Sequence, residues 1–263
     1  MQDLDELSAL ALDIAQQAGA LARLRREQGV AIAATKSAIA DIVTDADREV
    51  EQLIRRRLRE ARPQDGFLGE ESGVEAGTSE ITWVVDPIDG TVNYAYGIPH
   101  YAVSIAAVRG EPTALTWEQL VGVVHNPSLG ETFHAVRGGG AWLGSRRLQV
   151  SEPGPAGALV ATGFGYDPAT HAGDLERVRR VMPLCRDIRR AGAASLDLAA
   201  VAAGRLDGYF ERGIQLWDHA AGGLLVTEAG GRLGGMPDGV PGRDMTIAAG
   251  PDLFEKISAA IYL

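Results

Sequence analysis

The spacing of apolar residues over the first sixty positions predicts two amphipathic helices. In the first, residues 4 to about 27, apolar side chains recur every three or four positions, and Gly29 follows as a C-terminal cap. The second begins after Thr44, which suits an N-cap, and ends just before Pro63. The two apolar stripes comprise Leu4, Leu7, Ala11, Ile14, Ala18 and Leu21, then Val50, Leu53, Ile54 and Leu58.

Short apolar runs predict strands in the rest of the first half. The runs lie at residues 39–44, 66–69, 83–85, 101–108, 120–124 and 131–136. The last two flank the turn residues 126–130, so we expect an antiparallel, hairpin-linked sheet here. Residues 73–80 are polar and contain glycine, which predicts a loop. Gly138–Gly140 and Gly144 lack the G-x-G-x-x-G spacing of a dinucleotide site and favour a hairpin turn.

Helix and strand patterns alternate in the second half, which is typical of an α/β layer. Strands are predicted at residues 159–162, 187–190, 206–211 and 245–249, and helices at 174–182, 195–203, 216–229 and 252–261. Because residues 145–157 are polar and contain two prolines, we place a junction between halves there. The prediction is one functional unit with an N-terminal part, residues 1–144, and a C-terminal part, residues 145–263.

Composition and charge narrow the class of protein. The 263 residues include 25 Lys and Arg against 35 Asp and Glu, a net charge of −10, which argues against general nucleic-acid binding. No apolar run approaches membrane-spanning length, so we expect no membrane insertion. The acidic start lacks the basic residues of a signal peptide, and the single Cys185 allows no internal disulfide. We therefore expect a cytoplasmic protein.

The candidate chemistry centres on the stretch Trp83–Thr91. Here an apolar run leads into Asp86-Pro87-Ile88-Asp89-Gly90-Thr91, so a buried strand is followed by two carboxylates and then by backbone N–H groups. Pro87 stiffens the turn between the acids, and Gly90 lets the backbone approach a ligand closely. This arrangement is typical of a metal beside a phosphate. Further acids that the fold could add are Asp47, the adjacent Glu70 and Glu71, and Asp218.

Each acid also has a purely structural explanation. Asp47 fits a capping box with Thr44, and Asp218 suits the positive end of a helix dipole. Asp86 and Asp89 are common turn residues, and Glu71 would be solvated if the two glutamates faced opposite sides of a strand. Carboxylates alone suit Mg²⁺, whereas no His or Cys has the spacing of a zinc site. We expect His219, the neighbour of Asp218, on the surface or just behind that acid.

Taken together, the motifs resemble those of the inositol monophosphatase family, which belongs to a wider set of Mg²⁺-dependent, lithium-sensitive phosphatases. The resemblance spans nearly the whole chain in order and spacing. It is carried by Asp47 in Asp-Ile-Val-Thr-Asp-Ala-Asp, Gly-Glu-Glu-Ser around Glu70, Asp86–Thr91, Gly192–Ser195, Glu211, and Trp217–Gly222.

The resemblance implies a role for each matching residue. Glu70, Asp86, Asp89, Asp218 and the carbonyl of Ile88 would hold two or three Mg²⁺ ions. Glu70 and Thr91 would activate a water molecule, with Asp47 hydrogen-bonded to Thr91 as a third catalytic residue. The N–H groups of Gly90 and Thr91 would bind phosphate. The alcohol part of the substrate would face Asp89, Ala194, Glu211 and Asp218.

The resemblance also implies the fold and the reaction. The fold would be a mixed α/β (α+β) protein, a layered α-β-α-β-α sandwich with an antiparallel N-terminal sheet and a smaller mixed C-terminal sheet. The protein would be a homodimer that hydrolyses a small phosphorylated polyol, with inositol 1-phosphate as the first choice. Adenosine 3′,5′-bisphosphate, fructose 1,6-bisphosphate and histidinol phosphate are alternative substrates, and a non-catalytic regulatory protein that keeps the fold is an alternative of another class.

Two features bear on the choice of substrate. No basic cluster near the motifs would bind a second phosphate, except Arg189 and Arg190, which we interpret as an ion-paired strand end or a dimer surface. Gly192–Ser195 departs from the family pattern, which has a hydroxyl sooner after the glycine and an alanine at position 195. The alcohol pocket is thus less firmly predicted than the metal site.

Overall fold

The computed structural model describes residues 2–30, 32–35, 42–237 and 239–262. Its first part contains three helices. The two predicted apolar stripes face the core, where most of their residues are buried and Leu4, Leu21 and Leu53 are partly buried. The helices are α1 (Gln2–Gln28), α2 (Asp45–Ala61) and α3 (Thr91–Tyr96). The strands are β1 (Ile32–Thr35), β2 (Ile42–Thr44), β3 (Gly66–Gly69), β4 (Gly73–Glu75), β5 (Ile81–Asp89), β6 (Ala102–Arg109), β7 (Glu118–Asn126), β8 (Glu131–Val136), β9 (Gly140–Leu143) and β10 (Arg146–Arg147).

The large sheet has eight strands in the order β10-β9-β8-β7-β6-β5-β3-β4. Its neighbours are antiparallel except for β3 and β5, which run parallel. The β5–β6 register shifts between Asp86, opposite Ser104, and Asp89, opposite Ala102. Pro87 lies within this bulge, where a residue without an N–H is tolerated. The bulge therefore redirects the end of β5, where the Asp-Pro-Ile-Asp sequence lies.

The second part contains a five-stranded mixed sheet in the order β12-β11-β13-β15-β14. Strands β11 to β13 are parallel, and β15 runs antiparallel to both β13 and β14. The strands are β11 (Ala158–Thr162), β12 (Cys185–Arg189), β13 (Gly208–Glu211), β14 (Arg232–Gly234) and β15 (Thr246–Ala249). The helices are α4 (His171–Val181), α5 (Ala194–Ala202), α6 (Leu216–Glu228) and α7 (Pro251–Tyr262).

The elements form five layers, which confirms the α-β-α-β-α sandwich. Helices α1 and α2 cover one face of the large sheet, and α5 and α6 lie between its other face and the small sheet. Helices α4 and α7 cover the outer face of the small sheet. Apolar residues fill both interfaces of the central helical layer, so the two sheets share one core.

Several local predictions differ from the structure. The segment 73–80 is not wholly a loop, because β4 pairs with β3 at its start. Glu70 and Glu71 lie in the turn after β3 rather than within a strand. Helix α4 begins at His171, three residues before the predicted Asp174, and β14 was not predicted. Of the extended segment 39–44, residues 39–41 lie outside the described residues. No described helix is long and apolar enough to cross a membrane.

Helix α6 packs unusually close to its neighbours because small residues face both sides of it. A β-carbon at Gly122 of β7 would lie 2.7 Å from the carbonyl oxygen of Ala221. A β-carbon at Gly222 would lie 2.7 Å from Cβ of Leu198 on α5. These two glycines therefore set the distance of α6 from the large sheet and from α5.

We predict that Gly122→Ala destabilises the fold by about 1–3 kcal/mol, the usual cost of overpacking a tight core. The added methyl group meets the backbone of α6, which cannot rotate away as a side chain can. Urea unfolding measures the loss. Gly154→Ala is the matched control, because a β-carbon there meets nothing within 4 Å. Equal stability of the two variants would contradict the close packing of α6.

Candidate metal centre

Three carboxylates from distant parts of the chain converge in the folded protein. Asp86 and Asp89 lie at the bulged end of β5, and Asp218 lies in the first turn of α6. One oxygen from each lies within 4.8 Å of the others. The first two side chains are buried and the third is half-buried. The structure thus brings together acids of both halves, as predicted for a metal site.

Backbone and hydroxyl donors hold one oxygen of each carboxylate. Oδ1 of Asp86 accepts the N–H of Ile88 at 3.0 Å, and Oδ2 of Asp218 accepts the N–H of Gln215 at 2.5 Å. Oδ2 of Asp89 accepts both the N–H of Ser195 at 2.7 Å and its hydroxyl at 2.5 Å. Since an ionised carboxylate offers about four acceptor positions, each acid keeps lone pairs for another ligand.

The electrostatics of the cluster favour a bound cation. Burial raises the pKa of Asp86 and Asp218 well above the usual range, and neighbouring carboxylates raise both further. Burial also raises the pKa of Asp89, although the hydrogen bonds from Ser195 oppose this rise. Like charges so close repel one another unless a positive charge lies between them. The donor set consists of carboxylate oxygens, which fits Mg²⁺.

Asp47 makes both a capping contact at α2 and a contact with Thr91. Its Oδ2 accepts the N–H of Thr44 at 2.8 Å and the Thr44 hydroxyl at 2.5 Å, at the N-terminus of α2. Its Oδ1 lies 3.2 Å from the hydroxyl of Thr91, which also lies 3.0 Å from the carbonyl oxygen of Ile88. Burial raises the pKa of Asp47 to about 6. One carboxylate therefore joins α2 to the start of α3.

The Glu70–Glu71 turn lies close to the same acids. The N–H of Glu70 donates to the carbonyl of Val85 at 3.2 Å, which ties the turn to β5. The charge of Glu70 helps to raise the pKa of Asp86, and that of Glu71 helps to raise the pKa of Asp47. Both glutamates therefore act electrostatically on the site. The alternative of a solvated Glu71 required a strand through both residues, which the structure does not have.

Glu51, which was not among the predicted site residues, binds the backbone of this turn. Its side chain is buried on α2, and its Oε2 accepts the N–H of Glu71 at 2.9 Å. Gly69 lies directly against this carboxylate, with no room for a side chain. The signal was present in the sequence, because an acid beside Val50, on the apolar stripe of α2, is a buried acid that needs a partner.

Gly90 joins the acids to α3 in a conformation that favours glycine. Its φ is 86°, and it is the N-cap of α3. A β-carbon would lie 3.1 Å from both Cβ of Ala193 and the carbonyl oxygen of His100. The first N–H groups of a helix have no partner within it, so a helix start here, with the N–H groups of Gly90 and Thr91, suits an anion beside the carboxylates.

Of the residues predicted to face the alcohol, Ala194 and Glu211 lie in the C-terminal half, on α5 and β13. Oε2 of Glu211 accepts the hydroxyl of Tyr209 at 2.9 Å, and burial raises the pKa of Glu211 to about 7. Ala194 begins α5 and is nearly buried. Asp197, also on α5, was missed. It is buried, its pKa is raised well above the usual range by burial, and the nearby charges of Glu211 and Asp89 raise it further.

His219 does not lie on the surface, so that part of the expectation was wrong. Its side chain is fully buried, and its ring contacts Trp117 edge to face with centroids 5.6 Å apart. Burial lowers its pKa to about 4, so the ring is neutral at pH 7. It faces the core because α6 is enclosed between two sheets and has little solvent-exposed surface.

We predict that Asp86→Asn stabilises the protein in EDTA but removes stabilisation by Mg²⁺. Because folding raises the pKa of Asp86, its ionised form opposes folding at neutral pH, and the neutral amide removes that cost. We expect a melting temperature about 2–4 °C higher in EDTA, the shift for roughly 1 kcal/mol in a chain of this size. Wild-type protein should instead melt higher as Mg²⁺ is added.

Differential scanning calorimetry at several Mg²⁺ concentrations measures both effects. Asp244→Asn is the control, because Asp244 is an exposed acid in the C-terminal half. If Mg²⁺ raised the melting temperature of Asp86→Asn as much as that of the wild type, Asp86 would not bind the ion.

Comparisons with known proteins show similarity over nearly the whole chain. A sequence profile of the inositol monophosphatase family matches residues 3–261. The chain is 40% identical over 277 residues to inositol-1-monophosphatase SuhB of Mycobacterium tuberculosis, covering 97% of this chain and 93% of that protein. It is 46% identical over 194 residues to Nus factor SuhB of Xylella fastidiosa, covering 73% and 68%.

A solved structure is similar over almost its full length. The extragenic suppressor protein suhB from Bartonella henselae superposes with a TM-score of 0.90 at 37% sequence identity, covering 98% of each chain. This similarity extends across both sheets and the helices between them. From the matching profile, the relatives and the fold, we conclude that the chain belongs to the inositol monophosphatase family.

Proposed function

We propose that the protein is a Mg²⁺-dependent phosphatase that hydrolyses a phosphate monoester of a small polyol, with inositol 1-phosphate as its principal substrate. One observation carries the proposal: the carboxylates of Asp86, Asp89 and Asp218 converge beside the backbone N–H groups that follow Gly90. The carboxylates suit Mg²⁺, and the N–H groups suit a phosphate.

Five groups would hold two or three Mg²⁺ ions. They are the carboxylates of Glu70, Asp86, Asp89 and Asp218 and the backbone carbonyl of Ile88. Bound ions would neutralise the phosphate, lower the pKa of the attacking water and stabilise the leaving alcohol. This explains how a protein with a net charge of −10 binds a dianionic ester.

The residues around Thr91 position the attacking water. Because the hydroxyl of Thr91 donates its single proton toward Asp47 Oδ1 and the carbonyl oxygen of Ile88, its oxygen is left to accept a hydrogen bond from the water. Glu70 accepts the proton that the water gives up as its oxygen attacks phosphorus in line. The P–O bond to the alcohol breaks with its electron pair on the leaving oxygen, which takes a proton from solvent, and Glu70 later returns its own proton to solvent. Phosphate and alcohol are released and no phospho-enzyme forms.

The alcohol would bind on the side of Ala194 and Glu211. The Glu211 carboxylate can accept hydrogen bonds from hydroxyl groups of a polyol, and Tyr209 holds its position. Asp89 and Asp218 would contribute further acceptors. This arrangement favours an alcohol that carries several hydroxyls besides the esterified one over an alcohol that carries no other hydroxyl.

The second candidate is a non-catalytic regulatory protein that keeps the fold. The name of the Xylella relative, a Nus factor, favours it. The two candidates differ in one measurement, because a purely regulatory protein releases no phosphate with Mg²⁺. We also propose that the protein is a cytoplasmic homodimer and is inhibited by Li⁺; sedimentation of the purified protein tests the dimer.

We predict that the wild-type protein releases phosphate from inositol 1-phosphate faster than from three other esters, and that Li⁺ inhibits the reaction. The three are adenosine 3′,5′-bisphosphate, fructose 1,6-bisphosphate and histidinol phosphate. The reason is that Glu211 offers a hydroxyl acceptor where a second phosphate would be repelled. Phosphate release is measured with Mg²⁺, with EDTA and with added Li⁺. A bisphosphate that reacts faster would overturn the choice of substrate.

We predict that Asp89→Asn lowers kcat by at least about a hundredfold, the usual effect of removing one preorganised charged group. The amide keeps the size of the side chain but lacks the charge that binds Mg²⁺. Circular dichroism checks that the fold is intact, and Asp252→Asn, an exposed acid at the start of α7, is the control. Activity close to wild type in Asp89→Asn would refute its role.

We predict a smaller effect for Ser195→Ala, about tenfold weaker activation by Mg²⁺, which is typical of removing a group that orients a ligand. The variant keeps the backbone N–H bond to Asp89 and loses only the hydroxyl bond. The concentration of Mg²⁺ for half-maximal activity is measured. Restoration in Ser195→Thr is the expected rescue, and an unchanged Mg²⁺ requirement in Ser195→Ala would count against the orienting role.

A further inference from the structure

The first turn of α4 carries a buried acid, Asp174, that none of the roles described above uses. Its Oδ1 accepts Nη1 of Arg177 at 3.2 Å and Nε of Arg212 at 3.2 Å. Its Oδ2 accepts the hydroxyl of Thr170 at 3.2 Å. Removing a partner from a buried carboxylate is costly, so this cluster holds its members in place.

The two arginines differ in what they connect. Arg177 lies on α4 itself, three residues after Asp174, so its ion pair stays within one helix. Arg212 directly follows β13, and its ion pair joins the end of that strand to α4. The second ion pair therefore fixes the distance between the strand end and the helix.

The alternation along β13 places Glu211 and Arg212 on opposite faces of the small sheet. Tyr209, whose hydroxyl donates to Glu211, belongs to the core shared with the central helical layer. Phe210 belongs to the outer core beneath α4 and α7. Arg212 lies on the same face as Phe210, where it reaches α4. The ion pair thus holds the strand from its outer face, while Glu211 lies on the inner face.

The position of Glu211 depends on contacts beyond the strand ladder. The pairing of β13 with β11 ends at Phe210, opposite Thr162, whereas Glu211 pairs with Thr246 of β15. On the β11 side the Glu211 carboxylate instead packs against Gly163, where a β-carbon would overlap it. A shift of the strand end would therefore move this carboxylate directly.

The ion pair lies close enough to Glu211 to affect it. A cavity of about 10 Å³, with room for no more than one water molecule, is lined by Asp174, Arg212 and Glu211 among others. The charge of Asp174 also contributes to the raised pKa of Glu211. Because so little empty space separates these groups, a displacement of Arg212 is transmitted to Glu211 rather than absorbed.

We propose that Arg212 and Asp174 are positioning residues of the substrate site, because their ion pair fixes the end of β13 and so holds the Glu211 carboxylate where it binds a hydroxyl of the alcohol. The proposal rests on the proposed phosphatase function. It makes α4, a helix on the outer face of the small sheet, a determinant of selectivity for hydroxylated alcohols. Both residues act through Glu211, and neither needs to touch the substrate.

The test compares two esters in the full-length protein with Mg²⁺. Inositol 1-phosphate offers hydroxyls to Glu211, whereas 4-nitrophenyl phosphate offers none. The quantity measured is the ratio of their kcat/KM values, the inositol ester over the nitrophenyl ester. We expect Arg212→Gln and Asp174→Asn each to lower this ratio about tenfold, because a small misplacement of a binding group weakens its effect strongly. The loss should lie in KM for inositol 1-phosphate, with kcat little changed.

Arg177→Gln is the matched control, because Arg177 donates to the same oxygen of Asp174 and is similarly exposed but does not belong to β13. Its ratio should equal that of the wild type, and Arg212→Lys, which keeps the charge, should restore part of the ratio. Circular dichroism and urea unfolding identify the folded variants. A wild-type ratio in a folded Arg212→Gln or Asp174→Asn overturns the proposal, as does an equal fall in Arg177→Gln.

A double-mutant cycle tests whether Arg212 acts through Glu211. In that case Arg212→Gln lowers the ratio in the wild-type background but has no further effect on it in Glu211→Ala. An equal fall in both backgrounds overturns the proposal. If Glu211→Ala itself keeps the wild-type ratio, the positioning pair fails while the phosphatase function stands. No phosphate release by the folded wild type from either ester overturns the function itself, and the positioning pair with it.

Discussion

The repulsion between three converging carboxylates is the constraint on which the site depends. Asp86 and Asp89 come from a bulge at the end of β5, and Asp218 comes from α6, more than a hundred residues later. Burial and mutual repulsion raise the pKa of Asp86 and Asp218, so their proximity opposes folding when they are charged. The surrounding packing must overcome that cost. A divalent cation bound between the carboxylates would relieve their repulsion, so the same arrangement would bind the cation tightly.

The packing of the central helical layer overcomes the repulsion between the carboxylates. Apolar contacts with both sheets enclose α6, and small residues on its two sides allow a close approach to β7 and α5. Close packing transmits strain rather than absorbing it. A residue such as Gly122, far along the chain from Asp218, therefore affects the position of that acid.

Several polar groups support the fold and the site at once. Asp47 caps α2 and contacts Thr91, and Ser195, the second residue of α5, donates two hydrogen bonds to Asp89. Glu51 holds the turn that carries Glu70. Each is buried, so each would be costly if left without partners. The site is thus built from the same hydrogen bonds that satisfy the ends of helices and strands.

Local patterns in the sequence predicted most of the elements, because helix and strand periodicities are properties of neighbouring residues. They also identified the acids at Asp86, Asp89 and Asp218 as candidate ligands. The family resemblance supplied the five-layer architecture. Short elements such as β4 and β14 were missed, since three-residue strands owe their existence to their partners rather than to their own composition.

Only the tertiary structure decided which further polar residues are buried next to the candidate metal ligands. Glu51 and Asp197 are separated from the motifs in sequence, and their burial beside the site depends on how α2 and α5 pack. The burial of His219 follows from the enclosure of α6 between two sheets. A sequence specifies which residues can bind an ion. Long-range packing specifies how close they lie and how far water is excluded, and these two quantities set their charge.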